Sequence, residues 1–168
     1  TAANSSQITD GAAWVLLASE AAVEKWGLQP LGKIVDSQWS GLAPEEMGLG
    51  PVHASTPILQ RHGLNLADID YWELNEAFAA QVLACQAAWQ DEAYCREQLG
   101  LPGALGALDP ARLNVDGGAD SSGHPVGASG ARIVLHLLHV LRRNQAKRGI
   151  ATICIGGGLG GAMLLEAC

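Results

Sequence analysis

The chain has 168 residues, a formal net charge of −7, 48% hydrophobic residues and 16% charged ones. That length supports one domain with a real core, and so few charges exclude a disordered chain. An acidic surface offers no cations to nucleic acid or to an anionic membrane, so neither is expected as a partner. The basic run Arg142, Arg143, Lys147 and Arg148 closes a predicted helix, where cations complement the carbonyl end. No stretch approaches the roughly 20 apolar residues of a membrane span, and no signal pattern opens the chain. The four cysteines at 85, 95, 154 and 168 lack metal-ligand spacing and read as reduced thiols of a cytoplasmic protein. The opening at Thr1, on "TAANSSQITDGAAWVLLASE", reads as the middle of a longer or processed chain.

In chain order, "AAWVLLASE" is a short apolar run that predicts a buried strand. "SEAAVEKWG" follows as a helix ending at Gly27, and "GKIVDSQWSG" alternates like a strand. "STPILQRHG" reads as a short helix capped by Ser55 or Thr56, with Pro57 at its first position. "DIDYWELNEAFAAQVLACQAAWQ" is strand then helix, with Asn75 as cap and Phe78, Val82, Cys85 and Trp89 on one face. "EAYCREQLGLPGALGALDPARLN" reads as a helix end plus an excursion loop. "ARIVLHLLHVLRRNQAKRG" is a helix stopped by Gly149. "IATICI" and "AMLLEA", joined by "GGGLGG", form a terminal hairpin. Alternating strands and helices with a hairpin at the end predict a mixed α/β sheet covered on both faces.

Three positions carry candidate chemistry. Gly156, Gly158 and Gly161 satisfy GxGxxG after a strand, but no helix and no acidic residue follow, so a dinucleotide site is rejected. What remains is Cys154 at a strand end before three glycines, whose bare backbone lets N–H groups converge as in an oxyanion site. Taken alone, Cys154 reads more simply as a core thiol before a tight turn. In "GHPVGASG", Pro125 suits a first helical position and leaves His124 at the cap, where the helix end disfavours imidazolium and keeps a neutral base. A Ser–His–Asp triad from Asp120, Ser121 or Ser122 and His124 fails, because triad members converge from separate elements. His136 and His139, among leucines, read as core or interface histidines. Asn75 is an ordinary cap in isolation, yet its amide is also free to hold a water near the sheet edge.

"NSSQITDGAA", "NEAFAAQ", "GGADSSGHPVGASGAR" and "CIGGGLGGAM" occur together in the order and approximate spacing of the C-terminal half of the thiolases. The chain resembles that half over essentially all of residues 1–168. Ketosynthases share the fold, but the cysteine of the final CxGGG turn marks thiolases. The resemblance implies a five-stranded mixed sheet between helical layers. It also implies formation or cleavage of 3-ketoacyl-CoA by Claisen chemistry, with acyl-CoA and coenzyme A as substrates and no cofactor or metal. By motif, His124 would activate the nucleophile and help hold the thioester oxygen. Cys154 would shuttle a proton to or from the α-carbon or the CoA sulfur. Asn75 would position a water in one oxyanion hole, the Gly156 N–H would contribute to the other, and Ser6 would touch the pantetheine arm.

In the family the acyl-accepting cysteine lies in the preceding half, and Cys85, Cys95 and Cys168 have no activating context. The chain alone is therefore expected not to turn over and to need a thiolase N-terminal half. A competing reading is an autonomous, possibly engineered, non-catalytic folding or self-association domain with relic site residues, expected to dimerise through the face left bare. Three departures from the family stand out. Asp120, Ser121 and Ser122 replace an apolar run, which predicts a wetted surface and an Asp120 carboxylate that favours imidazolium at His124. Leu159 replaces a polar residue. Trp14 replaces a small one and is expected to fill space left by a missing neighbour.

Overall fold

The structure, a computed structural model, describes residues 1–168. Its helices are α1 (Glu20–Trp26), α2 (Gly50–His62), α3 (Ala79–Gln90), α4 (Glu92–Leu99), α5 (Ala119–Ser122) and α6 (Val126–Arg143). Its strands are β1 (Gly32–Gly41), β2 (Tyr71–Leu74), β3 (Arg148–Ile155) and β4 (Leu159–Ala167). They form one sheet in the order β1-β4-β3-β2, with β4 antiparallel to both neighbours and β3 parallel to β2. No helix is long and apolar enough to cross a membrane.

Both faces of the sheet are covered, as the alternating pattern predicts. On one face Ile133, Leu137 and Leu141 of α6 pack against Ala151 and Leu165. On the other, Val52, Ile58 and Leu59 of α2 and Val82, Cys85 and Trp89 of α3 meet Trp72, Leu74, Ile150 and Leu164. Trp72 and Trp89 anchor this larger core with ring centroids 5.5 Å apart. The helix α2 lies so close to β4 that a Cβ on Gly160 would overlap the Gly50 carbonyl. The hairpin closes through Gly157 and Gly158, whose φ values of 88° and 82° lie in the left-handed region.

The sheet has four strands, not five. Residues 12–19, read from sequence as a buried strand, take no regular structure, and Trp14, Leu16 and Leu17 are 82%, 78% and 73% exposed. Trp14 therefore fills no space. Beyond β2, the only further pairing is a single parallel bridge between Trp72 and Leu113. Asn114 then turns away at a φ of 46°, and its side chain takes the next rung. Its Oδ1 accepts from the Leu74 N–H and its Nδ2 donates to the Leu74 carbonyl, both at 2.9 Å. A primary amide has the same donor and acceptor as a peptide group, so one side chain replaces a rung of ladder.

Several boundaries also move. The helix α2 begins at Gly50 with Pro51 in its first turn; Ser55 and Thr56 lie buried inside it, and Pro57 sits mid-helix. Thr56 caps nothing and accepts from the Trp89 indole N–H at 3.3 Å. The expected loop after α3 starts with a separate helix, because the Asp91 side chain accepts from the Tyr94 N–H at 3.0 Å and recaps the chain. The helix α6 ends at Arg143, and Gly149 lies within β3 rather than stopping it. Gly149 is needed there for close packing: a Cβ would come within 2.8 Å of both Leu137 Cδ1 and the Tyr71 carbonyl oxygen. Gly149→Ala is expected to cost about 1–3 kcal/mol by overpacking, read as a lower urea midpoint at unchanged slope.

Candidate active site

His124 is held from both sides before α6 begins. Its N–H donates to the Gln7 carbonyl at 3.1 Å, which pairs the loop with the extended segment around Ile8. Gly123 precedes it at a φ of 84°, and any Cβ there would overlap the Thr9 side chain. The helix starts at Val126 with Pro125 as its cap, so His124 sits one residue further out than the sequence predicts. The ring is half-buried. Its Nδ1 lies 2.6 Å from Ser129 Oγ, and its Nε2 lies 3.4 Å from Asn75 Nδ2.

These partners fix the tautomer. The Asn75 amide nitrogen only donates, so Nε2 accepts, and the ring proton sits on Nδ1 and donates to Ser129. Burial pushes the His124 pKa below its usual value, and the Arg132 cation adds to the shift. Asp120 has no part in it, contrary to the sequence reading. It lies by Glu76, and burial followed by the Glu76 charge raises its own pKa. The two serines after it are exposed, as expected, with each hydroxyl donating to the Gly118 carbonyl at 2.9 Å.

Asn75 is buried and is not a helix cap, since α3 begins four residues later. Its N–H donates to the Thr152 carbonyl at 3.0 Å and so extends the β2–β3 pairing to the sheet's edge. Its Oδ1 is buried with no partner. The next residue, Glu76, joins the two segments of the site: its carboxylate accepts from Asn114 Nδ2 at 2.9 Å and from the Asp120 N–H at 3.0 Å.

Ser6 spends its hydroxyl and its N–H on the Ala77 carbonyl, each at 3.1 Å. It lines a cleft of about 600 Å³ with Ile8, Asp10, His124, Pro125 and Val126. Cys154 is the penultimate residue of β3, two residues beyond Thr152, at the same edge of the sheet as Asn75. Its thiol is buried, and burial raises its pKa against the smaller opposing pull of a backbone hydrogen bond. Gly156 follows in the exposed hairpin turn with open space around it. Asn75 and His124 are thus in contact and Ser6 is tied to the same segment. Cys154 and Gly156 share the edge, and the ring's hydrogen bonds go to Asn75 and Ser129 instead.

Sequence reasoning missed Ser129, Glu76 and Asn114. Ser129 lies five residues after His124, one turn into α6, where a small polar residue in an apolar helix is the only signal. Glu76 was visible as the neighbour of Asn75. Nothing in the sequence marks Asn114 as a strand substitute. His136 is not a core histidine: it pairs with Glu73 at 2.8 Å and Asp116 at 3.0 Å.

The profile of the thiolase C-terminal domain matches residues 28–167. The acetyl-CoA acetyltransferase of Shinella zoogloeoides is 46% identical over 167 residues, which is 99% of this chain and 38% of that protein. A 3-ketoacyl-CoA thiolase of Pectobacterium carotovorum is 45% identical with the same coverage. The chain thus spans 38% of the length of these curated relatives. The human mitochondrial 3-ketoacyl-CoA thiolase, solved in complex with CoA, aligns with a TM-score of 0.75 at 42% identity over 90% of this chain and 34% of that one. The Bacillus anthracis acetyl-CoA acetyltransferase gives 0.73 at 39% identity, over 89% and 34%. In sequence and in fold, the chain belongs to the thiolase family, to its C-terminal domain.

Proposed function

We propose that this chain supplies the base, the amide and the second thiol of an acyltransferase that cleaves or forms 3-ketoacyl-CoA. The observation that carries this reading is the Asn75–His124 contact, with Ser129 holding Nδ1 and leaving the unprotonated Nε2 beside the Asn75 amide. In the cleavage direction, Nε2 takes the proton of a nucleophilic thiol, and that sulfur attacks the 3-keto carbon. The bond between the carbonyl carbon and the α-carbon then breaks, and its electron pair becomes the enolate of acetyl-CoA. Cys154 gives its proton to that α-carbon and regains one from CoA–SH. The CoA sulfur takes the acyl group, and His124 returns the proton to the departing thiolate. Burial suits Cys154 to this role, because a raised pKa keeps the thiol protonated until a carbanion needs it. The unpartnered Asn75 Oδ1 fits a held water in one oxyanion hole, and the open Gly156 backbone fits the second.

The nucleophile comes from a part of the protein outside these residues, which we take to be the thiolase N-terminal half. Burial pushes the Cys85 thiol up to about 12, and Cys95 lies buried within α4 with its thiol donating to carbonyls of α3. Cys168 is exposed after β4, away from the cleft. The bare apolar run at Trp14, Leu16 and Leu17 gives that half a surface to cover. The same run favours a second reading, self-association of the isolated chain, which light scattering distinguishes. Four free thiols fit a reducing compartment such as the cytoplasm.

Incubated alone with acetoacetyl-CoA and CoA, the chain is expected to cleave no thioester above the buffer rate. Mixing it with a thiolase N-terminal half should restore thiolysis, and turnover by the lone chain would overturn the missing-nucleophile reading. In the reconstituted enzyme, His124→Ala is expected to lower kcat about 10²–10⁴-fold. Asn75→Ala is expected to lower it about 10²–10³-fold.

The His124 midpoint is expected below the ordinary 6.5, unchanged in Asp120→Ala, by NMR titration of the imidazole. The sign follows from burial. The fold favours the neutral ring, so this contribution to stability is complete above about 6.5 and is lost as pH falls through the depressed value.

A further inference from the structure

Four titratable side chains outside the Asn75–His124 pair form a chain across the α6 face of the sheet. Glu73 is buried and projects from β2 two residues before Asn75, on the same face by strand alternation. His136 of α6 places Nδ1 2.8 Å from Glu73 Oε1 and Nε2 3.0 Å from Asp116 Oδ2. Arg143, about two turns further along α6, donates to both Asp116 oxygens at 3.0 and 2.9 Å. The strands β3 and β4 present Ala151, Ile153, Met163 and Leu165 to this helix, all apolar, and β2 adds the Tyr71 ring. Glu76 acts on Glu73 through its charge.

Both ring nitrogens of His136 face carboxylate oxygens, and an ionised carboxylate only accepts. The two contacts are hydrogen bonds together only while one proton lies between Glu73 Oε1 and His136 Nδ1, and Nε2–H donates to Asp116. Burial raises the Glu73 pKa despite the opposing pull of His136, so the carboxyl itself favours keeping that proton nearby. Once it is lost, the neutral ring has a single N–H and can donate to only one of the two carboxylates, so one end of the bridge opens.

The segment that Asp116 anchors leads directly to the site. Asn114, two residues earlier, spans Leu74 and Glu76, and Glu76 accepts from the N–H of Asp120, four residues before His124. We infer that His136 is a positioning residue whose proton-dependent bridge sets the spacing between β2, which carries Asn75, and the loop that delivers His124. Its bearing on catalysis rests on the acyl-transfer reading above, whereas the coupling itself is measured without any activity.

The test is an NMR pH titration of this chain that follows the Asn75 side-chain amide together with the His124 and His136 imidazoles. The Asn75 amide is expected to show two inflections, one that follows the His124 imidazole and a second that reports opening of the Glu73–His136–Asp116 bridge. In His136→Gln the second should vanish. An Asn75 profile that follows His124 alone, or a second inflection that survives in His136→Gln, overturns the inference. Asp116→Asn changes a side chain that is 38% exposed and so keeps the test open should His136→Gln fail to fold. A neutral amide at position 116 can pair with Nε2 whether or not that nitrogen carries a proton, so the second Asn75 inflection should vanish as it does in His136→Gln. A second inflection that survives in Asp116→Asn also overturns it. A merely structural His136 would leave the amide with no inflection of its own to lose.

Discussion

A single carboxylate, that of Glu76, joins the sheet to the loop that holds the imidazole. One oxygen takes the Asn114 amide and the other takes the Asp120 N–H. Gly118 must be glycine for this to happen, because a Cβ there would overlap the carboxylate. Asn75 precedes Glu76 in the chain, so the residue that anchors the loop also fixes the end of β2 on which the amide sits. Hydrogen bonds to an ionised acceptor are among the stronger ones, contributing about 1.5–3 kcal/mol each. Without them, a four-residue helix and a glycine-rich turn would hold His124 only through its backbone contact with Gln7 and its ring contacts.

The glycine content reflects close approach as much as freedom. Gly50 and Gly160 let α2 lie on β4, and Gly149 lets α6 lie on β3. With both helices seated, the carboxyl-terminal ends of β2 and β3 emerge together, and Asn75 and Cys154 emerge with them. Side chains placed at the ends of strands inherit the rigidity of the sheet. His124 alone sits on a loop, and it has the most side-chain support: Ser129 on one nitrogen, Asn75 on the other.

Much of this was legible in the sequence, for identifiable reasons. Gly27 ends α1 because a cap is local chemistry, and the hairpin of β3 and β4 follows from two apolar runs around glycines. Three of the four motifs put Asn75, His124 and Cys154 at the ends of elements, because each joins an element end to a turn. Failures came where the deciding partner is distant. Residues 12–19 have the hydrophobicity of a strand, but nothing among residues 1–168 pairs with them. Gly149 resembled a helix stop because its true reason, the approach of Leu137, is a tertiary contact. Asp120 was assigned to the nearby imidazole by sequence distance, yet the chain folds it toward Glu76. Ser129 was passed over because a serine in an apolar helix announces no partner.

The Asn114 amide that completes the rung beside Leu74 has a further consequence at the outer margin of the sheet. An edge strand with free N–H and C=O groups is a template on which a foreign strand can add, the usual route to aggregation. Short edges of four residues such as β2 are partly protected by their length, and here a side chain occupies the hydrogen-bonding sites that length leaves open. Drift at position 114 toward an apolar residue would therefore harm solubility before it harmed the core, and such a variant would be lost as inclusion bodies rather than as a poorly packed monomer.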